Sequence, residues 1–181
     1  MDALSQPLAE WVYLRPIREA DTELVIPWRN KERVRHNFIY QKPFTREGHL
    51  NWLRTQVEPG HVVQFIICET GSDRPVGSVY FRDIDREKSI AEYGIFIGED
   101  DVLGKGYGTQ AAKLALAYAF EELQLQTVFL RVFADNAAAR KSYENAGFCL
   151  IENRQEEVTI GGIARTVVFY EIENSRGLRQ R

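Results

Sequence analysis

Apolar residues along the chain follow two spacings, and their succession predicts the order of strands and helices. Runs that alternate or are continuously apolar, and are rich in β-branched and aromatic residues, are typical of strands. Seven such runs occur, at residues 11–17, 61–70, 76–81, 89–97, 127–133, 148–158 and 163–172. Helical spacing occurs in short segments between the first two runs, in the segment before the fifth run and in the segment after it.

Capping residues set the ends of the predicted helices. Asp21, Thr45 and Asn136 each precede a helical segment and can act as N-caps. Gly147 follows the last helix in a position typical of a C-terminal cap. Pro27 is expected to end or kink the first helix near residue 28, because proline lacks an N–H and its ring crowds the preceding turn.

The order of elements predicts the fold class. It reads strand, helices, three strands, helix, strand, helix and two strands, and a doubly wound fold would not contain three consecutive strands. We therefore expect an α/β protein with a mixed, mostly antiparallel central sheet of about seven strands flanked by helices. Residues 1–181 are predicted to form a single domain, with residues 1–10 and 174–181 as flexible tails.

Composition and charge narrow the class of function. The 181 residues carry a formal net charge of −3, which argues against a nucleic acid partner bound through basic surface. No apolar run approaches the roughly 20 residues that span a bilayer, and MDALSQPLAE lacks the parts of a secretory signal. Cys68 and Cys149 lie in apolar contexts without metal-ligand spacing. We therefore expect a cytoplasmic protein with two buried reduced thiols, no membrane partner and no metal.

A glycine-rich stretch between the fourth strand and the next helix is the first candidate site. Gly104, Gly106 and Gly108 stand where a helix N-terminus is predicted, and such an N-terminus has unpaired N–H groups and the positive end of the helix dipole. The spacing does not fit the dinucleotide fingerprint. It does not fit the ATP-binding loop either, because Gly106 follows Lys105 where a serine or threonine is required.

A second motif follows the fifth strand. Asn136 and Tyr143 are seven residues apart, or two helical turns, so both lie on one helix face with Ala139 between them. A small residue at the middle position allows another molecule to pack closely against that face. Tyr143 alone would be typical of a core tyrosine with a satisfied hydroxyl.

Together the two motifs resemble those of the GNAT superfamily of N-acetyltransferases. The first, Arg/Gln-x-x-Gly-x-Gly/Ala, is matched by residues 103–108, although Leu103 stands where Arg or Gln is usual. The second, Asn-x-x-small-x-x-x-Tyr-x-x-x-Gly-Phe, is matched by residues 136–148. The resemblance is strongest to the branch that holds ribosomal-protein N-terminal acetyltransferases, and spermidine and amino-sugar nucleotide acetyltransferases are also similar.

The resemblance implies that acetyl-CoA donates the acetyl group to a primary amine by direct attack in a ternary complex. The fourth strand should pair with the pantetheine arm, the glycine loop should hold the pyrophosphate with help from Lys105, and Asn136 should bond the pantetheine or a nearby backbone group. The implied donor-binding residues are Ile95, Phe96, Ile97, Leu103, Gly104, Lys105, Gly106, Tyr107, Gly108, Thr109, Asn136 and Ala139.

Two catalytic residues are expected. Tyr143 should lie beside the thioester sulfur, and a phenol with a pKa of about 10 is protonated at neutral pH and can donate to the leaving thiolate. Glu92 interrupts an apolar strand and is the candidate base for the attacking amine. The alternatives are that Glu92 pairs with an arginine or contacts only the acceptor, and that water takes the proton.

The acceptor site is expected in the helical layer after the first strand. Candidate binding residues there are Trp28, Arg29, Asn30, Asn37 and Phe38, though each aromatic residue could instead belong to the core. A protein N-terminus, a polyamine and an amino-sugar nucleotide remain open as acceptors. A sensor that binds acyl-CoA without catalysis is the alternative from another class, and the protein is expected to be a monomer or homodimer.

Overall fold

One seven-stranded sheet carries all the strands of the computed structural model, which describes residues 10–175. The strands are β1 (Val12–Pro16), β2 (Val63–Glu69), β3 (Pro75–Asp85), β4 (Ile90–Ile97), β5 (Thr127–Phe133), β6 (Cys149–Ile160) and β7 (Ile163–Glu173). The helices are α1 (Thr22–Asn30), α2 (Glu32–His36), α3 (Arg46–Trp52), α4 (Tyr107–Glu121) and α5 (Ala137–Ala146). The predicted tails fall outside the described residues, apart from residues 10, 174 and 175.

The strand order confirms the predicted mixed sheet and leaves an opening at its centre. The order is β1-β2-β3-β4-β5-β7-β6, and every neighbouring pair is antiparallel except β4 and β5. The parallel ladder joins only Ile90–Glu92 to residues 127–129. Because β4 continues to Ile97 and β5 to Phe133, the two strands separate beyond Glu92.

Each face of the sheet packs against its own helices, because successive residues of a strand point to opposite faces. Phe65, Ile67 and Tyr93 belong to a core cluster with α4 and α5, and we call this side the α4 face. Ile66 and Phe96 belong to a second cluster with α1, α2 and the residues after α3, and we call this side the α1 face. The two faces meet where β4 and β5 separate.

The predicted caps are confirmed at two helices. Thr45 Oγ1 accepts a hydrogen bond from the N–H of Gly48 at 3.1 Å, and Asn136 Oδ1 accepts one from the N–H of Ala139 at 3.2 Å. Gly147 ends α5 with a φ of +106°, the left-handed conformation that favours glycine.

Two expectations about the periphery of the fold were wrong. Pro27 does not end α1, which runs on to Asn30, because burial of Val25 and Trp28 holds the helix despite the loss of one N–H; the alternative of a kink stays a prediction. Cys149 is exposed rather than buried, because β6 is an edge strand. Between residues 10 and 175, no helix is long and apolar enough to cross a membrane, and no cluster of three metal-ligating side chains occurs.

Candidate active site

A cavity of about 1170 Å³ lies where β4 and β5 separate. The second half of β4, the glycine loop, the first turns of α5 and the end of β5 line it from the α4 face, and the α1–α3 layer lines it from the other side. Side chains from both faces of the sheet therefore reach one space. Two molecules that entered from opposite faces would meet there.

The glycine loop bounds the α4-face end of this cavity. Gly104 and Gly106 have φ values of +72° and +82°, which other residues adopt only with strain. Gly106 is the N-cap of the 15-residue helix α4. The first N–H groups of α4, at Tyr107, Gly108 and Thr109, have no helical carbonyl to bond, and all three residues line the cavity. This geometry suits a phosphate.

The side chains around the loop differ from the expectation. Leu103 is 43% exposed and lines the cavity, whereas Lys105 is exposed and lies outside the cavity lining. The expected help from Lys105 therefore gains no support. Lys141, on α5, lines the cavity instead. Sequence reasoning missed it, although it lies only two residues before Tyr143, inside the second motif.

Replacing Leu103 with arginine is expected to lower the KM for acetyl-CoA about 3- to 10-fold, since an exposed charge-assisted contact to a phosphate contributes on the order of 1 kcal/mol. Initial-rate measurements at varied acetyl-CoA would check this. Lys105→Ala is the control and should leave the KM nearly unchanged. A KM that does not respond to Leu103→Arg would place the phosphates beyond reach of this position.

Tyr143 and Asn136 both line the cavity, with Ala139 between them. The Tyr143 ring packs edge-on against Tyr93 and Phe148, with centroid distances of 6.3 and 6.0 Å. Burial raises the pKa of the Tyr143 phenol above its ordinary value. The hydroxyl is therefore protonated throughout the neutral range.

The free edge of β4 faces the same space. Beyond Glu92 the strand has no partner on the β5 side, and Ile95, Phe96 and Ile97 line the cavity. An extended molecule could add to such an edge as a further strand. The Ile97 carbonyl already accepts a hydrogen bond from Arg33 Nη2 at 3.1 Å, so the last residue of the edge is partly occupied.

Glu92 lies on the α1 face between two guanidinium groups. Its Oε2 accepts hydrogen bonds from Arg82 Nε and Nη2 at 3.1 and 3.0 Å, and its Oε1 accepts one from Arg131 Nε at 2.9 Å. The side chain is 8% exposed and lines the cavity. This arrangement matches the ion-paired alternative, and a role as base stays a prediction.

A row of polar side chains on the α1 face was missed by sequence reasoning. Gln64 on β2 and Tyr80 and Arg82 on β3 line the cavity beside Glu92 and Arg131. Residues 78, 80 and 82 of β3 are polar and alternate with Val79 and Phe81. That alternation was visible in the sequence and was the signal for a strand with one polar face.

Trp28 and Asn30, the outer residues of the Trp-Arg-Asn stretch, contact different parts of the chain. Trp28 packs against Gly98, where a Cβ would lie 2.2 Å from the indole, and its Nε1 donates to Glu99 at 2.7 Å. Asn30 bonds both the N–H and the carbonyl of Phe44, at 2.7 and 2.9 Å. Trp28 and Asn30 lie outside the described cavity lining, so their expected role in substrate binding gains no support from the cavity and stays a prediction.

Arg29, Asn37 and Phe38 do line the cavity, and their role in substrate binding stays a prediction. The Arg29 guanidinium carbon lies 3.4 Å from the centroid of the Phe38 ring and 4.5 Å from that of Phe44. Burial lowers the pKa of Arg29 to about 10, so the group is still positively charged at neutral pH. Arg29 is therefore a buried cation held among aromatic rings.

His49 is a second buried group of the α1-face lining that sequence reasoning missed. It is 3% exposed, and its Nδ1 lies 3.0 Å from Thr22 Oγ1. Burial lowers the pKa of the His49 imidazole, although Asp21 opposes this shift. The ring is therefore held neutral at pH values where an exposed histidine begins to gain a proton.

We expect His49 to make the fold less stable in mild acid. The unfolded chain binds the proton near pH 6.5 and the folded chain only at lower pH, so stability is complete above about pH 6.5 and falls as the pH drops below it. The free energy of unfolding falls by about 1.4 kcal/mol for each unit that separates the pKa of His49 in the unfolded chain from its pKa in the folded chain. Urea unfolding of wild type and His49→Gln at pH 7 and pH 5 would check this, with exposed His61→Gln as control. Equal pH responses in all three proteins would contradict it.

The comparisons with known proteins agree with the fold. The model of the acetyltransferase (GNAT) domain family matches residues 12–149. This chain belongs to the GNAT acetyltransferase family. The fold of a spermidine N-acetyltransferase from Vibrio cholerae, solved with CoA and spermine, superposes with a TM-score of 0.84 at 22% identity, covering 93% of this chain and 98% of that one.

Curated relatives of this GNAT domain are distant. Spermidine N(1)-acetyltransferase from Escherichia coli K12 is 28% identical over 162 residues, which is 90% of this chain and 86% of that protein. A putative ribosomal N-acetyltransferase from Bacillus subtilis is 28% identical over 96 residues, 53% of this chain and 52% of that protein. An uncharacterized protein from Methanocaldococcus jannaschii is 29% identical over 140 residues, and the chain spans only 28% of its length.

Proposed function

We propose that this protein transfers an acetyl group from acetyl-CoA to a primary amine by direct attack in a ternary complex. The observation that carries this is the cavity at the separation of β4 and β5. It brings a phosphate-suited helix N-terminus, a buried phenol and a polar sheet face into one space. CoA phosphates fit the N–H groups of residues 107–109, and the pantetheine arm fits the free edge of β4.

The proposed reaction has a candidate residue for each proton transfer. The amine nitrogen attacks the thioester carbonyl carbon, a C–N bond forms, and the C–S bond breaks to release a thiolate. In this proposal Tyr143, which lines the cavity, donates its proton to that sulfur, and Glu92 or a water bound beside it takes the proton from the amine. Acetyl-CoA supplies the activated acyl group.

Several acceptors agree with membership of the family. A polyamine is supported by the spermidine acetyltransferase relative, which matches 90% of the chain. The ribosomal-protein branch favoured by sequence resemblance rests on a relative that matches 53% of the chain, and it stays a prediction. An amino-sugar nucleotide is the third candidate, and the oligomeric state, monomer or homodimer, also stays a prediction.

A thiol-release assay with acetyl-CoA and an acceptor panel tests the reaction. The panel contains an N-terminal alanine peptide, spermidine and a 4-amino-sugar nucleotide, and calorimetry measures CoA binding in parallel. Release with one acceptor supports the proposal. Tight CoA binding without release from any amine would favour the acyl-CoA sensor. Failure to bind CoA would refute the proposed donor.

A further inference from the structure

Three buried side-chain atoms of the described residues have no hydrogen-bond partner, and all belong to the same cavity. They are Arg29 Nη1, His49 Nε2 and the Tyr93 hydroxyl. Buried polar groups are almost always paired in folded proteins, because an unpaired one is costly. Arg29 and His49 lie on helices of the α1-face layer, whereas Tyr93 belongs to the α4 face. A buried polar group without a partner beside a cavity is a candidate contact for a ligand.

Among these three residues, Arg29 gives the strongest evidence for a bound anion. Its side chain is 6% exposed, and no ion pair joins it to a carboxylate anywhere in residues 10–175. Stacking at 3.4 Å on Phe38 uses the flat face of the guanidinium. Nη1 at the N–H edge is buried without a hydrogen-bond partner, and the edge of a guanidinium matches a carboxylate or phosphate with two parallel hydrogen bonds. A buried cation without a countercharge is expensive unless an anion joins it.

Most of the charged side chains of the cavity lining are already paired. The acidic residue of the described lining is Glu92, whose carboxylate is held by Arg82 and Arg131, and Arg33 pairs with Asp100. The described ion pairs include neither Arg29 nor Lys141, the other two basic residues of the lining. An unpaired cation at Arg29 favours an acceptor that brings negative charge to this end of the cavity.

The anion of this site is distinct from the phosphates of the donor. The glycine loop and α4 belong to the α4 face, whereas Arg29 on α1 and His49 on α3 belong to the helical layer on the α1 face. When the Thr22 hydroxyl donates to Nδ1 of His49, the ring proton is on Nε2 and can be donated to an oxygen. His49 and Arg29 both line the cavity.

We propose that Arg29 and His49 form an anion-binding subsite for the acceptor, so that the amine acetylated by this protein also carries a phosphate or carboxylate group. The inference rests on the proposed function, in that the anion is taken to belong to the acceptor. The relatives suggest a polyamine as the acceptor. This proposal instead expects an acceptor that carries negative charge at the end that binds Arg29 and His49.

Direct anion binding tests the subsite without catalysis. Sodium pyrophosphate and sodium succinate are titrated calorimetrically into CoA-saturated protein, whose donor site is already filled. Wild type should bind one of them, and Arg29→Met should bind it at least tenfold more weakly. Arg165→Met is the matched control, because Arg165 also stacks on a phenylalanine, at 3.5 Å from the Phe133 centroid, but is already bonded to Asp135 and lies outside the cavity lining.

Stability separates this role from a structural one. Arg29→Met should keep or raise the melting temperature, because it removes a buried charge without a partner. If the guanidinium served only to hold the rings together, the melting temperature would fall. An unaltered affinity for pyrophosphate and succinate in Arg29→Met, or no binding by wild type, would overturn the subsite.

Matched acceptors then identify the anion. Thiol release is compared between glucosamine 6-phosphate and glucosamine, and between Ala-Ala-Ala and its C-terminal amide. The charged member of one pair should have a kcat/KM at least tenfold higher, and Arg29→Met should abolish that preference. Release that favours spermidine and is insensitive to Arg29→Met would support the acetyltransferase and refute the subsite. Anion binding without release from any amine would retain the subsite and count against the proposed function.

Discussion

Replacing Tyr143 with phenylalanine should lower kcat about ten- to a thousandfold, the range that a general acid contributes. The change removes only the hydroxyl, and the ring keeps its edge-on contacts with Tyr93 and Phe148. The KM for acetyl-CoA should change little, because the phosphates and pantetheine are held elsewhere. Steady-state kinetics with saturating acceptor would measure both constants.

The pH dependence follows from the burial of Tyr143. Because burial raises the pKa of its phenol, the acid stays loaded beyond pH 10, where an exposed tyrosine has lost half its protons. The wild-type rate should therefore show no loss from this group up to pH 10. Tyr118→Phe is the matched control for Tyr143→Phe and should leave kcat unaltered, since the Tyr118 ring packs on Phe65 at 4.9 Å and lies outside the cavity lining.

Two outcomes would count against Tyr143 as the acid. Turnover of Tyr143→Phe within twofold of wild type would remove the role altogether. A large loss in Tyr93→Phe with little loss in Tyr143→Phe would move the role to the neighbouring phenol, which is buried, unpartnered and in the same cavity.

Most residues of the expected donor site line the cavity, and the sequence signals that pointed to them are local. A glycine with positive φ, such as Gly106, and the seven-residue spacing from Asn136 to Tyr143 are fixed by the sequence within one helix and its cap. Neither depends on how distant segments pack. The same holds for the succession of strands along the chain, which follows from runs of apolar residues. Their order in the sheet depends on tertiary pairing and was not predicted.

The cavity lining on the α1 face depends on tertiary packing and could be predicted only in part. Trp28, Arg29 and Asn30 are consecutive and equally suited to binding by chemistry, yet only Arg29 faces the cavity. Their directions are fixed by Gly98 and by Phe44, which lie far along the chain or in an irregular loop. His49 was missed for the same reason, because nothing local distinguishes it from a surface histidine.

Glu92→Gln is expected to lower kcat about a hundredfold, the lower part of what a general base contributes. Oε1 of Glu92 accepts its one strong hydrogen bond from Arg131, at 2.9 Å, and a carboxylate oxygen has two acceptor sites. One site on Oε1 is therefore left for a proton from the amine. The fold should lose only about 1–2 kcal/mol, because the Arg82 and Arg131 side chains are 35% and 26% exposed and water screens them.

Two further variants, Arg131→Gln and Glu99→Gln, test whether Glu92 acts as the base or only positions the arginines. Glu99→Gln makes the same chemical change at a carboxylate that pairs with Arg74 and Trp28 outside the cavity lining, so turnover should be unaltered. If Glu92 only positions the arginines, Arg131→Gln should lower kcat as much as Glu92→Gln does. If Glu92 is the base, Arg131→Gln keeps the carboxylate and should mainly raise the acceptor KM. Turnover of Glu92→Gln within threefold of wild type would assign proton removal to water, with the carboxylate kept as the countercharge of two guanidinium groups.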